Sequence, residues 1–210
     1  DYQKYILIMK SKFLILPLCL ASIGSPVIAD DFDKGFYGNL NIGLGKYSDL
    51  SVLGSLSSIN FATGLEYEVG LGYDFGKRFR TEVNYTNTSS DIDTIAGINS
   101  SSDTTFSTIG VMGYIDFPIK DSKWEPFIGA GIGSTKTKTG TICAVNCIGG
   151  REDTHSSYTL AAGTNYSLNE KTDILAKFTY RGFGDINLSD YGIVKESETV
   201  SFDIGLRFKF

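Results

Sequence analysis

Residues Val200 to Phe210, with the sequence VSFDIGLRFKF, decide how this chain folds. Apolar residues occupy every second position, and Ser, Asp, Gly, Arg and Lys occupy the positions between them. Because successive side chains of a β-strand point to opposite faces, this pattern predicts a strand with one apolar and one polar face. The apolar face continues to Phe210. In a soluble protein the last residues of the chain are usually polar and poorly ordered. We therefore expect an apolar environment outside this strand.

The same alternation recurs along the chain. The clearest case is 64–75, where Leu65, Tyr67 and Val69 begin an apolar face that continues to Phe75. The expected strands are 34–47, 64–75, 78–88, 105–117, 124–135, 157–168, 172–183 and 200–210.

The connections between these strands alternate between short and long. Short links follow the second, fourth and sixth strands, and long polar stretches follow the others. This order is typical of an antiparallel meander with both ends on the side of the short turns. In a bilayer such a sheet must close on itself to satisfy its backbone hydrogen bonds. The sequence therefore predicts an all-β fold, an eight-stranded antiparallel up-and-down transmembrane β-barrel.

The polar faces would then line the barrel interior. Their charged residues have both signs, and we expect them to pair across the lumen, because a cation facing lipid costs up to ~2–4 kcal/mol at the bilayer midplane. Glycines on the same faces leave room for these side chains, so the interior of this narrow barrel should be packed. The predicted charge network comprises Glu66, Glu68, Arg80, Glu82, Glu125, Asp173, Lys177, Arg181, Asp203 and Arg207.

The N-terminal segment has the pattern of an export signal. Lys10 and Lys12 lead into an apolar run, and small residues end it at Ala29. The interpretation divides the chain into upstream residues 1–8, a signal peptide 9–29 and a barrel domain 30–210. The alternative is a membrane anchor over 5–20, which falls short of the ~20 apolar residues that a spanning helix needs.

The charge of the chain argues against one class of partner. The formal net charge is −5, and removal of the predicted signal peptide would make the chain more acidic. Nucleic-acid binding requires a basic face, so we expect no nucleic acid as a partner.

Two cysteines lie close together in the predicted barrel domain. An even number of cysteines in an exported chain favours a disulfide between Cys143 and Cys147. Metal binding is the alternative, but His155 is the single histidine and a four-ligand zinc site would lack partners. We expect neither a metal nor a cofactor.

Four features carry a family resemblance: the predicted signal peptide through Ala29, the opening Gly35-Phe36-Tyr37-Gly38, the sequence PFIGAGIG at 126–133, and the closing IGLRFKF at 204–210. On these features the chain resembles the OmpA-like and opacity-type outer-membrane β-barrels of Gram-negative bacteria, a porin-family group. The resemblance implies an outer-membrane location, periplasmic mature termini and outer-membrane lipids as partners. It also implies an assembly signal, read by the barrel assembly machinery, formed by Phe202, Ile204, Leu206, Phe208 and Phe210.

Three functions remain open at this point. Long polar stretches at about 46–63, 87–104, 134–156 and 184–197 would form loops on a rigid scaffold, where recognition usually resides. The leading hypothesis is a non-enzymatic surface scaffold whose loops serve as a surface antigen or bind an extracellular ligand in adhesion. The second hypothesis is a narrow ion or small-solute channel, limited by the size of the lumen.

The third hypothesis is a lipid-modifying enzyme. Its candidates are His155 with Ser157, oriented by Glu152 or Asp153, although a His near a Ser on a polar loop is usually solvated surface. The alternative fold is a soluble barrel with the apolar faces inside, which its large apolar residues would overpack.

Overall fold

The computed structural model describes residues 34–47, 50–51, 58–76, 78–95, 98–99, 103–140, 142–143, 147–148, 150–184, 186–188, 192–194 and 198–210. The predicted upstream residues and signal peptide, 1–29, lie outside the described residues. Among the residues that are described, no helix is long and apolar enough to cross a membrane.

Eight long strands form one closed antiparallel sheet. The strands are β1 (Gly35–Tyr47), β2 (Thr63–Asp74), β3 (Phe79–Ile95), β4 (Asp103–Asp116), β5 (Trp124–Thr139), β6 (Arg151–Asn169), β7 (Thr172–Phe183) and β8 (Glu198–Lys209). Each strand pairs with the next one along the chain. Strand β8 also pairs with β1, with Leu206 opposite Leu40, and this pairing closes the barrel. The predicted fold class is confirmed.

The side-chain burial alternates along each strand in the predicted sense. On β2, Leu71 is 71% exposed on the outer face, whereas Glu68 is 1% exposed in the lumen. On β8, Ile204 is 52% exposed and Asp203 is 1% exposed. The apolar faces therefore point outward, opposite to the arrangement of a soluble barrel.

Four strands are longer than their apolar faces suggest. Strand β3 extends to Ile95 and β4 begins at Asp103, so the expected loop bounds of 87–104 were wrong. Strand β5 extends to Thr139 and β6 begins at Arg151, so the expected loop bounds of 134–156 were also wrong. These extensions are rich in Ser and Thr, and Thr favours strands. The hydrogen bonds between the backbones of neighbouring strands continue beyond the end of the apolar face, because backbone N–H and C=O groups pair in water as well as in lipid. Short strands also occur within the connections, at Leu50–Ser51, Ser58–Phe61, Ile98–Asn99, Ile142–Cys143, Cys147–Ile148, Ile186–Leu188 and Gly192–Val194.

The tight connection between β2 and β3 shows how the short turns form. Gly76 has a φ of 69°, in the left-handed region that glycine adopts without strain. The amide of Phe75 donates to the carbonyl of Phe79 at 2.9 Å, and the amide of Gly76 donates to the carboxylate of Asp74 at 2.8 Å. This turn brings β3 directly beside β2.

Candidate functional site

The lumen near the short-turn end is organised around Arg80. Its Nε donates to both carboxylate oxygens of Asp116, at 3.0 and 2.9 Å, and its Nη1 donates to the Tyr37 hydroxyl at 3.2 Å. The guanidinium lies 4.0 Å from the ring centroid of Tyr114 and 4.8 Å from that of Phe127. Ion pairing and cation–π contacts therefore hold Arg80 across the lumen.

A second cluster at the same end is built on Arg207. Its Nε and Nη2 lie 2.8 and 2.7 Å from the carboxylate of Asp173, and Nη2 lies 3.5 Å from Glu125. Lys209 also reaches Asp173, with its Nζ at 3.1 Å. Asp173 is thus shared between two cations.

The middle of the lumen holds the remaining acidic residues of the network. Glu68 forms an ion pair with Lys177 and also accepts from Asn41 Nδ2 at 2.8 Å. Glu66 lies 3.6 Å from Arg181 and accepts from the hydroxyl of Thr88 at 2.6 Å. Both glutamates bind partners from several strands of the barrel wall.

Two further members of the predicted network lie between these groups. Glu82 accepts from the Tyr37 hydroxyl at 3.0 Å and from Asn39 Nδ2 at 2.7 Å. Asp203 accepts from the hydroxyl of Ser201 at 3.4 Å. The structure thus buries nine of the ten predicted charged residues inside the barrel, places the tenth, Glu125, beside Arg207 with 16% exposure, and adds Asp116, which the prediction omitted.

Aromatic residues fill the lumen toward the long-connection end. The ring centroid of Tyr47 lies 3.9 Å from that of Phe106 and 6.2 Å from that of Phe183, in stacked arrangements. His155 meets Phe183 edge-on, with the centroids 5.4 Å apart. The sequence interpretation missed this stack, although all three residues lie within predicted strands, because it assigned a polar interior to the barrel.

An apolar cluster lies in the lumen beside Arg80. It contains Met112, Tyr114, Phe127, Ala161 and Leu175, all at most 7% exposed. Together with the aromatic stack, this cluster leaves the lumen occupied by side chains at both ends. The interior is packed rather than open.

The residues proposed for catalysis do not form a reactive pair. Neither ring nitrogen of His155 has a hydrogen-bond partner among the described residues. The hydroxyl of Ser157 accepts from Thr135 Oγ1 at 3.0 Å. Glu152 points outward and forms an exposed ion pair with Lys136, while Asp153 accepts from the amide of Thr154 at 2.8 Å.

His155 lies beyond the lipid-facing part of β6, because the outward neighbours Thr154 and Ser156 are polar and exposed. Burial lowers the pKa of His155, and the nearby charge of Asp153 opposes this shift. The imidazole is therefore favoured in its neutral form.

The two cysteines lie opposite each other in a short antiparallel pair, Cys143 with Cys147. Directly opposed residues of an antiparallel pair have Cα atoms about 4.5–5.5 Å apart, a separation compatible with a disulfide. The disulfide itself stays a prediction. In the described part of the chain, no group of three or more His, Cys, Asp or Glu residues could hold a metal ion.

The five residues of the predicted assembly signal lie on the outer face at the end of the chain. Phe202, Ile204, Leu206, Phe208 and Phe210 are each between 38% and 81% exposed. The amide of Phe210 donates to the carbonyl of Phe36 at 3.0 Å, so the pairing with the first strand extends to the last residue. Their role in assembly stays a prediction.

Comparison with known proteins assigns this barrel to a family. The family model described as "outer membrane protein beta-barrel domain" matches residues 15–210. The chain belongs to this outer-membrane β-barrel family. The predicted family resemblance is confirmed, and membership places the protein in the bacterial outer membrane.

Solved structures of other outer-membrane proteins share the architecture of this barrel. Neisserial surface protein A is 21% identical, with 85% of this chain and 100% of that chain aligned and a TM-score of 0.63. The outer membrane protein OprG from Pseudomonas aeruginosa is 13% identical, with 84% and 96% aligned and a TM-score of 0.56. These likenesses show the fold. A comparison with curated protein sequences gave no significant match.

Proposed function

We propose that this outer-membrane barrel is a non-enzymatic scaffold that presents its long connections at the cell surface for recognition of an extracellular ligand. The observation that carries the proposal is the extension of β3 to β6 beyond the apolar outer face as paired strands. On β5, the outward residues change from Ile132 to Ser134, Lys136 and Lys138. Paired strands that rise out of the lipid hold the connections in defined positions, as recognition requires.

The packed lumen supports a scaffold over a channel. Arg80, Arg207 and their partners occupy the short-turn end, and Tyr47, Phe106 and Phe183 occupy the other. A solute would have to displace both groups. Purified protein in planar bilayers should give no long-lived conductance steps, and ordered steps would favour the channel.

The arrangement around His155 supports a non-enzymatic role. A general base must be within hydrogen-bond reach of the group that it activates, and His155 and Ser157 form no such bond. His155→Ala should leave the lipid composition of the outer membrane unchanged. A changed lipid composition would instead support the enzyme hypothesis.

Surface labelling tests the orientation. An epitope tag inserted at Asn99, between β3 and β4, should react with antibody on intact cells. A matched tag at Asp121, in the turn between β4 and β5, should react only after the outer membrane is opened. The reverse result would overturn the proposed orientation, in which both mature termini are periplasmic.

Recognition is tested separately with cells that display the barrel at equal levels. Cells with the native protein should adhere to host-cell or extracellular-matrix surfaces better than cells whose connection 96–102 is replaced by a short Gly-Ser turn. Heat-modifiable mobility on gels would verify that the shortened barrel folds. The role in recognition would be contradicted if this variant, and matching replacements of the other long connections, all adhered as well as the native protein.

A further inference from the structure

The outer wall carries a groove at the short-turn end of β5, β6 and β7. The groove has a volume of about 310 Å³ and is lined by Trp124, Thr164, Tyr166, Ile174 and Ala176. The bottom of the groove is formed by two small side chains, Thr164 and Ala176, which lie directly opposite each other on β6 and β7. The Thr164 hydroxyl donates to the carbonyl of Asn165 at 3.3 Å, so this polar group has its own partner.

Two aromatic side chains form one wall of the groove. Trp124 and Tyr166 are register partners, and their ring centroids lie 4.8 Å apart in an edge-to-face arrangement. Trp and Tyr rings collect at the boundary between lipid tails and headgroups. The groove therefore opens at the level of the lipid headgroups and extends toward the tails.

Two exposed lysines lie next to the short-turn ends of the strands that line the groove. Lys123 directly precedes Trp124, and its carbonyl accepts from the amide of Ser167 at 2.9 Å. Lys171 lies in the turn between β6 and β7, where its amide donates to Asn169 Oδ1 at 2.9 Å. The backbone of each lysine is thus held against the barrel, while the side chain is free to extend.

The charges of these lysines are available to a ligand. Neither Lys123 nor Lys171 forms an ion pair with a residue that the structure describes, unlike Lys209, which binds Asp173. The two turns also carry Asp121 and Glu170, and together with Lys120 the three lysines exceed these two acidic residues by one positive charge.

We propose that this groove is a binding site for an anionic phospholipid, with an acyl chain along Ala176 and Ile174 and the phosphate at Lys123 and Lys171. The apolar lining suits a lipid tail, and the lysines supply cations at the height of the headgroup. A phospholipid with a net negative charge should bind better than a zwitterionic one, because near a membrane surface each lysine contributes about a fivefold preference. In the proposed orientation the site faces the periplasmic leaflet.

The single tryptophan of the chain, Trp124, reports on the site directly. Mature protein is reconstituted in phosphatidylcholine vesicles that contain a minor fraction of lipid with brominated acyl chains, which quench tryptophan fluorescence on contact. The measured quantity is the ratio of quenching by brominated phosphatidylglycerol to quenching by brominated phosphatidylcholine at the same fraction. In the native protein this ratio should exceed one and should fall toward one at high salt, because salt screens exposed charges.

Variants then separate the two parts of the site. Lys123→Gln combined with Lys171→Gln should bring the ratio close to one. Lys120→Gln, a matched change of an exposed lysine in the same turn as Lys123, should leave the ratio unchanged. Ala176→Leu, which fills the floor of the groove and keeps both lysines, should also lower the ratio. A quenching ratio of one in the native protein would overturn the proposal. So would a decrease of this ratio in Lys120→Gln equal to the decrease in the double variant.

Discussion

Arg80 and Asp116 form a buried ion pair inside the barrel, in which the arginine Nε lies 3.0 and 2.9 Å from the two carboxylate oxygens. Both side chains are 3% exposed. Removing one partner of a buried pair leaves an uncompensated charge, which is more costly than the pair itself is stabilising. The pair therefore makes the short-turn end of the lumen sensitive to substitution on either side.

Arg80→Met is expected to lower the free energy of unfolding by ~3–5 kcal/mol, because Asp116 would remain buried without its cation. Urea unfolding of the reconstituted barrel, followed by Trp124 fluorescence, measures this change. Lys136→Met is the matched control, since it breaks an ion pair with Glu152 whose side chains are 52% and 50% exposed. The control variant should lose about 1 kcal/mol or less of unfolding free energy. Equal losses in both variants would contradict the assigned role of Arg80.

Gly72→Ala is expected to destabilise the barrel by ~1–3 kcal/mol through overpacking. A Cβ at this position would lie 2.2 Å from Tyr37 Cζ and 2.6 Å from the carbonyl oxygen of Thr81. Tyr37 cannot easily move, because its hydroxyl donates to Glu82 at 3.0 Å.

Gly113→Ala provides the comparison for Gly72→Ala. The nearest atom to its added Cβ would be 3.9 Å away, and the change should stay within ~0.5 kcal/mol. Both variants are measured by the same urea titration. Equal losses of unfolding free energy in Gly113→Ala and Gly72→Ala would show that the packing around Tyr37 is looser than described.

His155→Phe is expected to reduce the loss of stability on acidification. Burial lowers the pKa of His155, so the unfolded chain binds its proton more readily than the folded protein does. The stability present above the unfolded pKa, about 6.5, is therefore lost as pH falls from there through the lowered folded pKa. Unfolding free energies of both proteins between about pH 7 and pH 5 give the difference. Parallel curves for the two proteins would rule out this contribution.

Removal of the Phe210 ring should impair assembly more than folding. Phe210→Ala is expected to lower the amount of protein in the outer membrane, since Phe210 ends the predicted assembly signal. Refolding of the purified variant in detergent should match that of the native protein. Ile119→Ala, a change of an apolar residue that is 51% exposed in the turn between β4 and β5, serves as the control. Normal membrane levels of Phe210→Ala would contradict the prediction.

Cys143 and Cys147 are expected to be oxidised in protein recovered from the outer membrane. Denatured protein should then show no thiol reactive with a maleimide at these positions before reduction, and two after it. Cys143→Ser should leave Cys147 reactive without reduction. Two reactive thiols in the unreduced native protein would exclude the disulfide.

The sequence by itself determined the strands, their two faces and the closure of the sheet. Side-chain alternation with a period of two is a local property, so 64–75 and 200–210 each showed which residues share the apolar face. Closure followed from a general requirement of the bilayer, which leaves no backbone donor or acceptor unpaired.

Only the tertiary structure decided which lumen residues meet. Glu68 and Lys177 pair although they are 109 positions apart, and Tyr47, Phe106 and Phe183 stack from three different strands. Such contacts depend on the register of every strand between the partners and on the curvature of the closed sheet, neither of which is encoded locally. The groove beside Trp124 arises in the same way, because Thr164 and Ala176 form its floor only when β6 and β7 are paired in this register.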